Sequence, residues 1–148
     1  MTSASDFPSS LHWSIDHHPS DRAIQALRHE LIAYNIATAA IDASRDVAVF
    51  LHDAHDRLMG GAVGTVWGQC VEINYLWVHP SLRRKGYGKK LLQTLEQAAR
   101  TQQCHTAILD TYSFQAPDFY QRLGYEVFGV IDGYPRGYQK VFLKKRLA

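Results

Sequence analysis

The segment from residue 70 to residue 100 constrains the fold most. An apolar run of strand length, CVEINYLWVHP (70–80), leads through a basic turn into a helical pattern, GYGKKLLQTLEQAAR (86–100). The apolar content of the run predicts a strand buried on both faces. Leu91, Leu95, Ala98 and Ala99 mark the core face of the helix, with Leu92 alongside. Between the two, Arg83, Arg84, Lys85, Lys89 and Lys90 crowd around Gly86, Tyr87 and Gly88. Glycine within a helix costs about 1 kcal/mol relative to alanine, and like charges on one helix face repel. The crowding makes sense if a polyanion sits there. The first amides of a helix have no internal partner, and the helix dipole places partial positive charge at that end. Glycines let the backbone approach a ligand and present successive N–H groups. The junction therefore reads as a polyphosphate site. It is neither a Walker loop nor a dinucleotide fingerprint, because the further glycine or Lys-Ser/Thr spacing is missing.

The rest of the chain decides whether that patch is local. The 148 residues carry a formal charge of only +2, with 46% hydrophobic residues, which suits one domain with a real core. That balance is not the composition of a general nucleic-acid binder. Cys70 and Cys104 have no paired-cysteine spacing and read as reduced core residues, so a cytoplasmic location is expected. The opening MTSASDFPSS has neither a basic nor an apolar segment of the kind that begins a signal peptide. No apolar run approaches the roughly 20 residues needed to span a bilayer, so no membrane partner is expected.

Around the junction the pattern alternates. LHWSID (11–16) is expected as a strand, and residues 20–40 as a helix with Ser20 as N-cap and Ala23, Leu27, Leu31 and Tyr34 as a buried stripe. Strands are expected at 45–53, 58–68 and 104–111, with a turn at 53–57. A short helix at 117–123 has Pro117 near its start and Gly124 past its end. Two final strands flank DGYPRG (132–137). This is an α/β (α+β) chain with a mixed sheet, read as a single domain over 1–148.

Two separated stretches carry a family resemblance. VHPSLRRKGYGKKLL resembles the acyl-coenzyme A motif of the GNAT acetyltransferase superfamily, [RQ]-x-x-G-x-[GA], with Arg83, Gly86 and Gly88 in the three fixed positions. SFQAPDFYQRLGY resembles the family's second signature through Ala116, Phe119, Tyr120, Gly124 and Tyr125. The tail from Tyr125 resembles a bacterial subgroup. The resemblance implies a GNAT-like, mostly antiparallel central sheet flanked by helices, and covers roughly residues 45 to 146. It also implies an N-acetyltransferase that moves an acetyl group from acetyl-CoA, its co-substrate, directly to a primary amine of a small molecule or peptide, as a monomer or homodimer. No nucleic acid or metal is expected.

The implied roles map onto residues. Leu76, Trp77 and Val78 would pair their main chain with the pantetheine arm. Arg83, Arg84, Lys85, Gly86, Tyr87, Gly88 and Lys89 would hold the phosphates, and an amide near Leu76 would meet the oxyanion. Glu72 is the candidate base, placed on one strand face with Asn74, Leu76 and Val78 by alternation. Tyr120 is the candidate acid. Ser113 and Gln115 are cofactor contacts, with Ser113 standing where the family often has asparagine. Tyr34, Asn74 and Tyr134 are acceptor-side candidates, although several relatives carry an acid in place of Asn74. Two other classes stay open at this point. One is a non-catalytic acyl-CoA-binding sensor, and the other a nucleic-acid-binding module using the 83–90 patch.

Overall fold

The computed structural model describes residues 10–147. The reading of the N-terminal MTSASDFPSS lies, but for its last residue, outside the described residues. The chain falls into two compact units, Met1–Ile41 and Asp42–Ala148.

Among the described residues the first unit contains one helix, α1 (Asp21–Ala39). Ser20 caps it, its hydroxyl oxygen accepting the Ala23 amide at 3.2 Å, and Ala40 ends it in the left-handed region at φ 51°. Residues 11–16 are not a strand. Alternation is a local signal, and a strand also needs a neighbouring edge to pair with.

The second unit is built on a six-stranded sheet ordered β1-β2-β3-β4-β6-β5. Its strands are β1 (Arg45–His52), β2 (Leu58–Trp67), β3 (Cys70–Val78), β4 (Thr106–Tyr112), β5 (Glu126–Ile131) and β6 (Lys140–Arg146). Of the neighbouring pairs only β3 and β4 are parallel, and they are joined by a helical crossover, α2 (Tyr87–Thr101). A short helix, α3 (Pro117–Arg122), follows β4. The mixed, mostly antiparallel architecture agrees with the expected fold class. Among the described residues no helix is long and apolar enough to cross a membrane.

The core lies between α2 and the inner face of the sheet. Leu91, Leu92, Leu95 and Ala99 pack with Ala62, Val66, Val71, Ile73, Ala107, Leu109, Val141 and Leu143. Leu92 and Leu95 are fully buried, each contributing roughly 2 kcal/mol by removal of apolar area from water. Gly64 makes the approach possible. A Cβ there would stand 3.0 Å from the Glu72 carbonyl and the Val71 side chain, with Leu95 at 3.5 Å.

Two expectations change here. First, β3 is not buried on both faces. Val71 and Ile73 are buried, whereas Cys70, Glu72, Asn74, Tyr75 and Trp77 are exposed, so Cys70 is a surface thiol and Cys104 alone is a core cysteine. Second, the side-chain alternation of β3 breaks. Val63 of β2 faces Tyr75 while Gly64 faces Ile73, so Asn74 is the extra residue of a β-bulge. The bulge leaves Glu72, Asn74, Tyr75 and Trp77 on the outer face and turns Leu76 and Val78 inward against the core, where both pack. Glu72 and Leu76 therefore do not share a face.

One buried charge was not visible in the helical pattern. Glu96 is 2% exposed among the leucines of α2. It accepts two hydrogen bonds from Lys145 of β6, at 2.8 and 3.0 Å, and one from the Tyr125 hydroxyl at 2.9 Å. Arg100 adds a charge at 3.7 Å and donates to the Leu147 carbonyl. This cluster ties α2 to β6 and to the residue that follows α3.

Candidate active site

The β3–β4 ladder is short. It pairs Cys70 to Ile73 with Thr106 to Leu109 and then stops, although both strands continue. The parted strands bound a cleft of about 610 Å³. Leu76, Val78, Leu109, Thr111, Arg83 and Tyr120 line it together with Asn74, Tyr75, Trp77 and Asp110 of the outer face, and Phe114 and Gln115 complete it. Both faces of the sheet contribute to its lining.

The direction of the β3 backbone follows from its pairing. The His79 amide donates to the Met59 carbonyl of β2 at 2.8 Å. A strand points alternate residues' amides and carbonyls to opposite sides. Tyr75 and Trp77 therefore face β2, and Leu76 and Val78 turn their main-chain groups toward the cleft. The Val78 carbonyl accepts from Arg83 Nε at 3.0 Å, which agrees with that parity.

At the end of β3, His79 caps a single 3₁₀ turn, Pro80–Leu82, with Nδ1 accepting the Ser81 amide. The loop then reverses through two left-handed residues, Arg84 at φ 60° and Gly86 at φ 86°, and α2 begins. A Cβ on Gly86 would meet nothing within 4 Å, so glycine is favoured there by backbone angle and not by crowding. The Lys90 amide is the first to find a helical carbonyl, that of Gly86 at 3.1 Å. Among the described residues the amides of Arg84 through Lys89 take no partner. Arg83 is held by Val78, and Lys85 donates to the Ser81 carbonyl at 3.0 Å. Arg84 and Lys89 make no such bond among the described residues, and both are exposed.

Tyr120 enters the cleft from α3. Its ring packs edge-on against Phe119 at 5.1 Å and Tyr125 at 5.9 Å, and burial raises its hydroxyl above the ordinary tyrosine value. Tyr125 is itself held by Glu96. Burial first, and then that carboxylate, push its hydroxyl well above the usual tyrosine range. The turn into α3 is fixed by Gln115, whose Oε1 accepts the Tyr112 amide at 3.1 Å and the Thr111 hydroxyl at 3.4 Å. Ala116 takes φ 99° there, a rare angle for a residue with a side chain.

Asn74 is oriented from outside. Thr65 Oγ1 lies 2.9 Å from both Asp46 Oδ1 and Asn74 Oδ1. Its single proton serves one acceptor at a time, and a carboxylate attracts it more strongly than an amide oxygen. Turning the Asn74 carboxamide over satisfies every group, with its NH₂ toward Thr65 and its carbonyl available to a ligand.

The structure thus brings together Leu76, Trp77, Val78, Arg83, Asn74, Gln115 and Tyr120 in one cleft, with the 84–89 loop following β3. Glu72 is exposed on the outer face, level with Ile108 in the paired part of the ladder, and is not among the lining residues. Ser113 is exposed and occupied by Gln139, donating its amide to the Gln139 carbonyl and accepting the Gln139 amide at its hydroxyl. Tyr134 lines a neighbouring cavity. Tyr34 lies on α1, in the first unit. Asp110 was missed. It lines the cleft, its carboxylate lies 3.3 Å from Lys140 Nζ, and the hydrogen bond and charge of Asp110 raise the lysine. The signal was available as an acid interrupting the apolar run TAILDTY.

Comparison with known proteins agrees with this geometry. The sequence profile of the Acetyltransferase (GNAT) family matches residues 10–125. The chain is 40% identical over 91 residues to a blasticidin-S acetyltransferase of Streptomyces morookaense, spanning 61% of this chain and 67% of that one. It is 30% identical over 124 residues to an acetyltransferase of Agrobacterium fabrum, spanning 84% and 90%. The fold superposes on the crystal structure of an acetyltransferase from Agrobacterium tumefaciens with a TM-score of 0.86 and 27% identity, covering 92% of this chain and 99% of that one. Profile, relatives and fold converge on one assignment, and the chain belongs to the GNAT family of acetyltransferases.

Proposed function

We propose that the protein transfers an acetyl group from acetyl-CoA directly to a primary amine of a small molecule or peptide. The observation that carries this reading is the parting of β3 and β4 beside a loop of unpaired amides. The pantetheine arm adds to β3 like an extra strand, using the cleft-facing main chain of Leu76 and Val78. The pyrophosphate lies on the amides of Arg84 to Lys89 at the positive end of α2. Arg84 and Lys89 are the side chains at hand for the 3′-phosphate. The profile match over residues 10–125 includes parts of both compact units, which supports reading 1–148 as one acetyltransferase domain.

A primary amine of pKa near ~10.4 is unprotonated in about one molecule in 10³ at neutral pH. Asp110, at the cleft, attracts the ammonium group and takes its proton, directly or through water. Glu72, exposed on the same face of the sheet as Asn74, is the second carboxylate of that route. The Asn74 carbonyl accepts from the amine. The Leu76 amide stabilises the tetrahedral oxyanion. Tyr120 donates a hydrogen bond to the departing sulfur. The relative that carries the name blasticidin-S acetyltransferase supports a small-molecule acceptor.

The test is incubation with acetyl-CoA and single primary amines, with mass spectrometry of the products. One amine gaining one acetyl group supports the reading. Acetyl-CoA binding with no acetylated product from any amine favours a sensor, and salt-dependent DNA binding without acetyl-CoA affinity favours a nucleic-acid module.

A further inference from the structure

Beside the cleft lies a second cavity of about 430 Å³, walled by Tyr112, Phe114, Tyr134, Pro135, Arg136 and Tyr138. Phe114 belongs to both. The rings of Tyr112 and Phe114 are parallel within 4°, with centroids 5.5 Å apart. Tyr134 meets Tyr112 at 66° and 5.1 Å, and Tyr138 meets Phe114 at 65° and 4.7 Å. Two rings therefore stand up from a stacked pair.

The arrangement is held by its loops. Ser113 and Gln139 exchange two hydrogen bonds of 2.9 and 3.0 Å, Gln139 Nε2 donates to Asp132 at 2.7 Å, and the Tyr138 amide donates to the Pro135 carbonyl. Arg136 is fixed in the left-handed region at φ 59°. Yet Phe114 remains 58% exposed. Aromatic surface that keeps its geometry without being buried is available to another flat ring.

Charge narrows the occupant. Lys140 already lies 5.9 Å from the centre of the Tyr112 ring and pairs with Asp110, and the Arg136 guanidinium has no partner among the described residues. The Arg136 guanidinium on the wall disfavours a further cation there and suits an oxygen acceptor. Asp110, in the cleft that shares Phe114, suits an ammonium group.

We propose that this aromatic box is the acceptor subsite for a planar unsaturated ring bearing a carboxylate or carbonyl oxygen, on the same molecule as the amine that enters the cleft. The word acceptor rests on the acetyl-transfer reading above. The ring preference is read from binding alone.

The probes are para-(aminoethyl)benzoate and its ring-saturated cyclohexane counterpart, titrated calorimetrically without acetyl-CoA. The parent protein is expected to bind the flat probe about tenfold more tightly, the size of one or two ring contacts. Tyr134→Leu and Tyr138→Leu are each expected to cut that ratio several-fold, with acetyl-CoA titration as the control for folding. Equal affinities in the parent, no binding of either probe, or a ratio that survives both substitutions would overturn the proposal. Failure of acetyl transfer is read separately, as binding of the flat probe without thiol release once acetyl-CoA is added.

Discussion

Ile73 and Leu109 form the last rung of the parallel β3–β4 ladder, and the next residues on each strand, Asn74 and Asp110, line the cleft. The bulge at Asn74 turns the β3 side chains over at that point, so the strands part where the faces change. A polar pair from the outer face is thereby set beside an inner wall of Leu76, Leu109 and Tyr120.

The proposed phosphate loop depends on Gly86. At φ 86° a β-branched side chain is strained by roughly 1–2 kcal/mol or more. Gly86→Val is expected to weaken acetyl-CoA binding about tenfold or more while circular dichroism stays that of the parent. Equal dissociation constants by calorimetry would remove the loop from the site.

In the proposed acetyl transfer Tyr120 acts in the transition state. A thiol near ~8.5 is a weaker base than a phenolate near ~10, so full proton transfer is uphill by about 2 kcal/mol before burial raises the tyrosine further. The hydroxyl therefore acts by a hydrogen bond that strengthens as the thiolate forms. Tyr120→Phe should lower kcat strongly and acetyl-CoA affinity little. The acid form is the working one and its pKa is raised, so kcat should show no Tyr120-dependent loss below about pH 10. Retained kcat with collapsed affinity would make Tyr120 a binding residue.

The two carboxylates separate by mutation. Asp110→Asn should slow the reaction roughly 10²-fold near neutral pH, with the deficit shrinking at high pH as the amine loses its own proton. Glu72→Gln should cost less, because Glu72 stands outside the lining. Steady-state rates across pH decide, and the reverse order would return the base to Glu72.

The buried cluster around Glu96 sets stability. Lys145→Met leaves that carboxylate with a distant Arg100 and the Tyr125 hydroxyl, and should destabilise the fold by about 3 kcal/mol in a denaturant titration. Glu96→Gln together with Lys145→Met should recover part of the loss. No loss in the single variant would show that Arg100 compensates fully.

Much of this was legible in the sequence because it is local. The turn into α2 rests on glycine positions and helix start signals, and the strands and helices of residues 42–147 follow periodicity. What stayed hidden depends on pairing. The bulge at Asn74 shows only against β2, and it moved Leu76 and Val78 off the face assigned to Glu72. Asp110 matters because β4 leaves β3 just before it. The burial of Glu96 depends on Lys145, which β6 supplies from far along the chain. LHWSID had the alternation of a strand and lacks one.

The most direct measurement follows free thiol and acetylated amine together during a pre-steady-state reaction. Direct transfer in the cleft predicts that thiol appears only when an amine is present, one for one with amide, and that both signals fall together, several-fold, in Gly86→Val at acetyl-CoA concentrations near the parent's dissociation constant. A burst of thiol without any amine, or bound acetyl-CoA that yields no thiol with any amine tried, would contradict it.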